Sequence, residues 1–175
     1  MLTNFNSNSD WFYIFLAVLI VDYVAVFFAK YPGSSPMFKV SSLNEWYDKF
    51  GAVAVASDVL SLSIGIFAAR FIYTYLKLNN WVYFLLILIA LQLFHDAVFY
   101  FAVINPLPEG HNQLIDVFKH YSQENGGKIL GADGLMLVAS MFIASGLKTL
   151  PDSYVIGIYL LKLYAFTYII YTKSP

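Results

Sequence analysis

The sequence contains no cysteine, which excludes disulfides, thiolate metal sites, cysteine nucleophiles and dithiol redox chemistry together. Charge is also scarce: 12% of the 175 residues, where a water-soluble domain carries about 25%. So little polar surface cannot cover a globule in water. Basic residues are neither abundant nor clustered, the net charge being −1 with a pI near 6.2. With no basic run and no glycine-rich phosphate loop, nucleic acid is excluded as a partner. The opening stretch MLTNFNSNSD lacks the positive flank and small-residue cleavage pattern of a signal peptide, so the first apolar segment is expected to be retained.

What the chain has instead is apolar residues, 59% of the total, with 19% aromatic. Five stretches are long enough to cross about 30 Å of hydrocarbon as helices of roughly 20 residues: Trp11 to Ala29, Phe50 to Leu76, Trp81 to Ile104, Ile129 to Leu147 and Tyr154 to Tyr171. Their apolar residues run continuously instead of alternating, which favours helices over barrel strands. The expected fold is an all-α, polytopic membrane bundle of about five transmembrane helices forming a single domain over residues 1–175. Prolines in KYPGSSP and NPLP end the first and third spans, and Asp152 or Ser153 is expected to cap the fifth. Two connections are long, and each contains a candidate surface helix. In HNQLIDVFKHYSQENGG, Leu114, Ile115, Phe118 and Tyr121 share a side and Gly126 can close the end; such a helix lies in the membrane interface or packs on the ends of its own bundle. SSLNEWYDKF is a shorter, weaker version.

An odd number of spans puts both long loops and the carboxyl terminus on one face. That face carries Lys30, Lys39, Lys49, Lys119, Lys128 and Lys173, the other Arg70, Lys77 and Lys148, which favours a cytosolic long-loop face and an external amino terminus. Trp11 and Trp81 near one boundary and Trp46 near the other fit interfacial aromatic belts.

Ionisable residues inside the spans carry the functional signal. Asp22 lies eight residues before Lys30, Asp58 eight after Phe50, and Asp96, beside His95, eight before Ile104. At 1.5 Å per residue each carboxylate is about 12 Å inside the long-loop face. Lys162 reaches a similar level and Asp133 lies closer to the surface. A charge in mid-bilayer costs several kcal/mol and normally turns inward to find a partner, so Asp22, Asp58, His95, Asp96, Asp133 and Lys162 are expected to share a site or adjoining polar contacts. Arg70, about 30 Å from Phe50 along its helix, is expected to snorkel to the opposite boundary. In the inner zone four aspartates face one lysine and one histidine. Protonation, a bound cation or exposure to water must offset the excess.

Three readings follow. The leading one is a non-enzymatic protein in which the polar network sets helix registry and assembly, its partners being the lipid bilayer and either a second copy or other membrane proteins. The alternative is a proton or cation channel or transporter centred on Asp58 and Asp96, with Lys162 as internal counter-ion. A metal-dependent intramembrane enzyme would need His95, Asp96 and a ligand from His111 or His120, but no HExxH, HxxxH or GxSxG spacing occurs. No cofactor is expected. The stretch HDAVFYFAVINPLPEGHNQLIDVFKHYSQENGGKILGADGLMLVAS, residues 95–140, resembles multi-pass proteins encoded by large DNA viruses of algae and protists, through HDxxFY, DVFKxY and ENG in order. The resemblance covers about a quarter of the chain. It implies a viral protein residing in a virion or host internal membrane and carries no activity with it.

Overall fold

The computed structural model describes residues 2–31 and 41–173. Among these, seven helices and no strand occur: α1 Asp10–Lys30, α2 Ser41–Phe50, α3 Ala52–Tyr75, α4 Trp81–Phe99, α5 Gln113–Asn125, α6 Lys128–Leu147 and α7 Asp152–Ile169. The last turn of α4 widens into a π-helical segment, Tyr100–Ile104. Four helices are long and apolar enough to cross a membrane: α1, α3, α4 with its extension, and α6. The stretch expected to form a fifth span is a helix, α7, but it is not among the helices long and apolar enough to cross a membrane.

α1 is the hub. It packs on α6, α3 and α7, while α4 closes the other side between α3 and α6. Accordingly 56% of the apolar stretch of α1 is buried, against 17% for α4. Large apolar side chains point outward from the other helices, among them Ile64, Phe71, Phe94, Leu135 and Leu161. The short helices α2 and α5 pack on each other across one end of the bundle, α2 also touching α1 and α3.

Local chemistry sets the boundaries. Gly51 takes φ +50°, a left-handed turn that a side chain resists, so α2 stops at Phe50 and α3 departs in a new direction. The Asn80 side chain accepts from the Val82 N–H at 2.9 Å, and Asn112 does the same for Leu114 at 2.9 Å, both satisfying free donors at a helix start. Gly126, at φ +53°, closes α5 as expected, its N–H reaching the Ser122 carbonyl at 2.9 Å.

Several expectations need correction. Phe50 belongs to α2, not to the second span. Pro151 holds the N-cap position of α7 and makes no side-chain cap bond; Asp152 is the first residue of the helix and its Oδ1 accepts from the Tyr13 hydroxyl of α1 at 3.1 Å. The prolines of KYPGSSP and Lys39 lie outside the described residues. Helix α5 packs on the bundle end through Ile115 and Val117, both buried, so the side that faces the bundle includes a residue the spacing had not selected. Trp46, expected at an interfacial belt, is 4% exposed and packs inside the protein against Phe50 and Phe118.

Candidate polar site at the capped end

Helix α2 brings its apolar face down onto the bundle. Leu43, Trp46, Tyr47 and Phe50 recur at the i, i+3, i+4, i+7 spacing of a buried helical face. Trp46 and Tyr47 each carry one polar hydrogen, and when buried each needs an acceptor. The acceptors are the span carboxylates. The Trp46 indole N–H donates to Asp58 Oδ2 at 3.1 Å. The Tyr47 hydroxyl lies 3.1 Å from the same oxygen and 3.4 Å from Asp22 Oδ1. One phenol thus bridges two carboxylates from two helices. Asp22 is fully buried, and among the described residues no protein group donates to its Oδ2.

Two further contacts hold α2 in place. Lys30, 1% exposed at the end of α1, pairs with Asp48. Glu124 of α5 reaches across to the first turn of α2, where Oε1 accepts from Ser41 N at 2.9 Å and Ser41 Oγ at 3.1 Å. Its Oε2 accepts from Ser42 N at 2.9 Å and Ser42 Oγ at 2.5 Å. This carboxylate caps a helix from outside it, where the unsatisfied N–H groups and the helix dipole both favour negative charge. Burial pushes the Glu124 carboxyl upward, but the hydrogen bonds from Ser42 and Ser41 together outweigh it and hold it below the ordinary value. The Tyr47 hydroxyl is pushed well up, first by burial and then by the charges of Asp22 and Asp58, and so keeps its proton.

A second group of acids adjoins this site. The Gln92 amide donates to Asp96 Oδ1 at 2.8 Å, and His95 Nδ1 lies 3.1 Å from the same oxygen. Asp96 Oδ2 is buried without a donor among the described residues. Asp133 on α6 is within electrostatic reach of Asp96 and Asp58. Tyr121 of α5 stands over this group: its hydroxyl is raised, first by burial and then by Asp133, Asp58, Asp96 and Glu124.

The six expected residues therefore divide. Asp22 and Asp58 meet through Tyr47, and Asp96 and Asp133 lie beside them. The His95 side chain is 57% exposed and stacks on Phe99 with centroids 5.9 Å apart, at the outer edge of the group. The Lys162 ammonium sits 4.0 Å from the centroid of the Tyr23 ring and makes no ion pair with a carboxylate among the described residues. The expected pairing of Lys162 with the aspartates is thus not seen among the described residues; the aromatic face on α1 receives the ammonium instead. Among the described residues no three His, Asp or Glu side chains come together in a metal-holding arrangement. Trp46, Tyr47 and Glu124 were missed as site residues; the i, i+3, i+4, i+7 spacing of Leu43, Trp46, Tyr47 and Phe50 is the signal that could have found the first two.

The opposite end contains a different polar cluster. Arg70 does not snorkel: it is fully buried. Its guanidinium contacts the Asn4 carbonyl, the Ser7 carbonyl at 3.1 Å and Asp10 Oδ2 at 3.5 Å, and stacks 4.7 Å from the Trp11 ring centroid. Lys148 pairs with Asp10 Oδ1 at 2.6 Å. The amino-terminal segment folds back over α3 and supplies the carbonyls that a receding apolar boundary would not. Asp22 and Asp10 are twelve residues apart on α1, as are Asp58 and Arg70 on α3, so about 18 Å of helix separates the two clusters. That interval is filled by Leu16, Val18, Leu62, Ile66 and Leu137.

No family model, curated protein or solved structure matches this chain.

Proposed function

We propose that this chain is a multi-pass integral membrane protein that acts as a structural or assembly component, with no catalytic role. In this reading α7 forms a fifth span, the amino terminus is external, and the α2–α5 cap faces the cytosol. The observation that carries it is the inverted distribution of side chains. Apolar residues as large as Phe94 and Tyr75 are 68% and 75% exposed, while Asp22, Lys30 and Arg70 are at most 1% exposed. Water reverses that pattern, whereas lipid favours it. The polar clusters at the two ends then act as registry devices, each tying helices distant in sequence to one level.

Transport draws less support. A hydrated route would have to pass the apolar interval between the clusters, where the fully buried Leu16, Val18, Ile66 and Leu137 interdigitate. The metal-enzyme reading lacks a ligand cluster among the described residues. Residence in a viral membrane belongs to the proposal only through the resemblance over residues 95–140.

Absence of native cysteine makes the experiment direct. Single cysteines at Gln123, Asn79 and Lys173, all exposed, are labelled with a membrane-impermeant maleimide in sealed cells or vesicles, alongside extraction with alkaline carbonate. Gln123→Cys and Lys173→Cys should label from the cytosolic side alone and Asn79→Cys from the outside alone. Release of the protein by carbonate, or labelling of Gln123→Cys and Asn79→Cys from the same side, would overturn the reading. Opposite sidedness of Lys173→Cys and Gln123→Cys would remove only the fifth span.

A further inference from the structure

We infer that Asp22, Tyr47 and Asp58 form a proton-binding site beneath the α2–α5 cap, holding one exchangeable proton whose release loosens α2 from the bundle. Counting hydrogens leads there. The two carboxylates present four oxygens, and the groups around them offer two polar hydrogens, from the Trp46 indole and the Tyr47 hydroxyl. Both approach Asp58 Oδ2 within 3.1 Å. A phenol has one hydrogen, so when it donates to Asp58 its oxygen faces Asp22 Oδ1 as an acceptor. Two acceptors 3.4 Å apart with nothing between them repel; a proton on Asp22 turns the same contact into a hydrogen bond. The order is then Asp22 O–H to Tyr47 oxygen, and Tyr47 O–H to Asp58, with the Trp46 N–H completing the anionic end.

Burial supplies the independent reason. Asp22 is fully buried and its second oxygen has no donor among the described residues, a setting in which an uncompensated carboxylate is strongly disfavoured. The surrounding helices do not provide the missing positive charge. On α3 the facing group is Asp58 and on α2 it is Tyr47; on α7 it is Lys162, held over the Tyr23 ring. Lys30 is taken by Asp48, α6 brings Asp133 and α4 brings Asp96, and α5 brings Tyr121 and Glu124. Taken together, the four aspartates outnumber Lys162 and, at the edge of the group, His95, which lies against Asp96. A metal cation is a poorer occupant than a proton, because among the described residues no third carboxylate or imidazole joins the pair in a coordinating arrangement.

Coupling to the cap follows from where the donors sit. Both hydrogens that reach the pair come from α2, so the protonation state of the pair and the seating of α2 are linked. Loss of the shared proton leaves two like charges with one phenol hydrogen between them. The inference goes beyond the structural role proposed above, and its tests use detergent-solubilised full-length protein, so their outcome is independent of membrane sidedness.

Infrared difference spectroscopy in H2O and D2O should reveal a protonated-carboxyl stretch at neutral pH that disappears in Asp22→Asn and persists in Tyr47→Phe. In parallel, the emission removed by Trp46→Phe is followed as pH is raised: a red-shifting transition should appear in the parent and be lost in both Asp22→Asn and Asp58→Asn. Absence of the carboxyl band at neutral pH, or its survival in Asp22→Asn, would overturn the site. A parent with no alkaline transition in Trp46 emission would overturn the coupling. Should Asp22→Asn fail to fold, Asp58→Asn serves alone for the emission test. The transition should not move when sodium chloride replaces choline chloride at fixed pH; a shift would identify a cation as the occupant and refute the proton.

Discussion

The two ends of the bundle meet the same difficulty, ionisable groups drawn out of water, and resolve it differently. At the uncapped end Asp10 has Arg70 on one oxygen and Lys148 on the other, and the surplus positive charge is spread over the Asn4 and Ser7 carbonyls and the Trp11 ring. At the capped end Asp22 and Asp58 have only a phenol and an indole. The first cluster meets its carboxylate with opposite charge on both oxygens, although Arg70 Nε and Nη1 are buried without an acceptor among the described residues. The second has acceptors in excess and no ion pair to its two carboxylates among the described residues, which is the ground for the proton inferred above. The contrast teaches that burial of a charge by itself says little about function; whether an opposite charge meets it separates a fastener from a candidate responsive site.

The contrast is tested most severely at Arg70. Replacing it with Met removes one partner of a buried pair and leaves Asp10 with Lys148 alone, which should destabilise the protein by about 3–5 kcal/mol. Thermal unfolding in detergent measures it, and Arg70→Met combined with Asp10→Asn should recover part of the loss. A fall below about 1 kcal/mol would mean that the uncapped end is not held by this pair.

Tyr47→Phe keeps the ring and deletes the bridging hydroxyl. It should cost about 1–3 kcal/mol, the usual penalty of stranding buried polar groups. Asp22→Asn, which retains a hydrogen to donate, should cost less than Tyr47→Phe. The reverse order, read by the same unfolding assay, would make the capped end a charge-paired fastener like its counterpart.

The cap has its own acid limb. Glu124 has a folded value below its ordinary 4.5, so its contribution is present in full above that value and disappears as pH falls through the lower folded one. Hydrogen exchange of the first turn of α2 should therefore quicken at acid pH, and Glu124→Ala should produce the quickened state at neutral pH, at a cost of about 1 kcal/mol or less for an exposed cap. An acid limb unchanged in Glu124→Ala would assign it to another group.

Lys162→Met should have the smallest effect, within about 1 kcal/mol, since among the described residues its ammonium loses a contact with the Tyr23 ring and no ion pair. A larger loss that vanishes in the Asp58→Asn background would restore Lys162 as the counter-ion, and a double-mutant cycle distinguishes the two.

Much of this arrangement was legible along the chain. The apolar runs placed α1, α3, α4 together with its π-helical extension, and α6 to within two residues at each end, because a helix in an apolar surrounding has to satisfy its backbone internally and so needs a continuous run. Asp22, Asp58 and Asp96 stood out because an acid in such a run is costly unless matched. Arg70 misled, since snorkelling assumes that the nearest polar surface is water; here the folded-back residues Asn4 and Ser7 bring polar carbonyls to the guanidinium. Lys162 misled for a related reason: depth along a helix says how far in a group lies but not what faces it across the gap.

The sequence by itself determined the helical class, the lengths of the four most apolar helices and the level of each buried acid, because these follow from local hydrophobicity and a fixed rise per residue. Only the tertiary structure decided that Tyr47, from a ten-residue helix outside the apolar runs, sits between Asp22 and Asp58. Which side chains meet depends on the order and rotation of helices around the bundle, and those are set by packing between segments far apart in the chain.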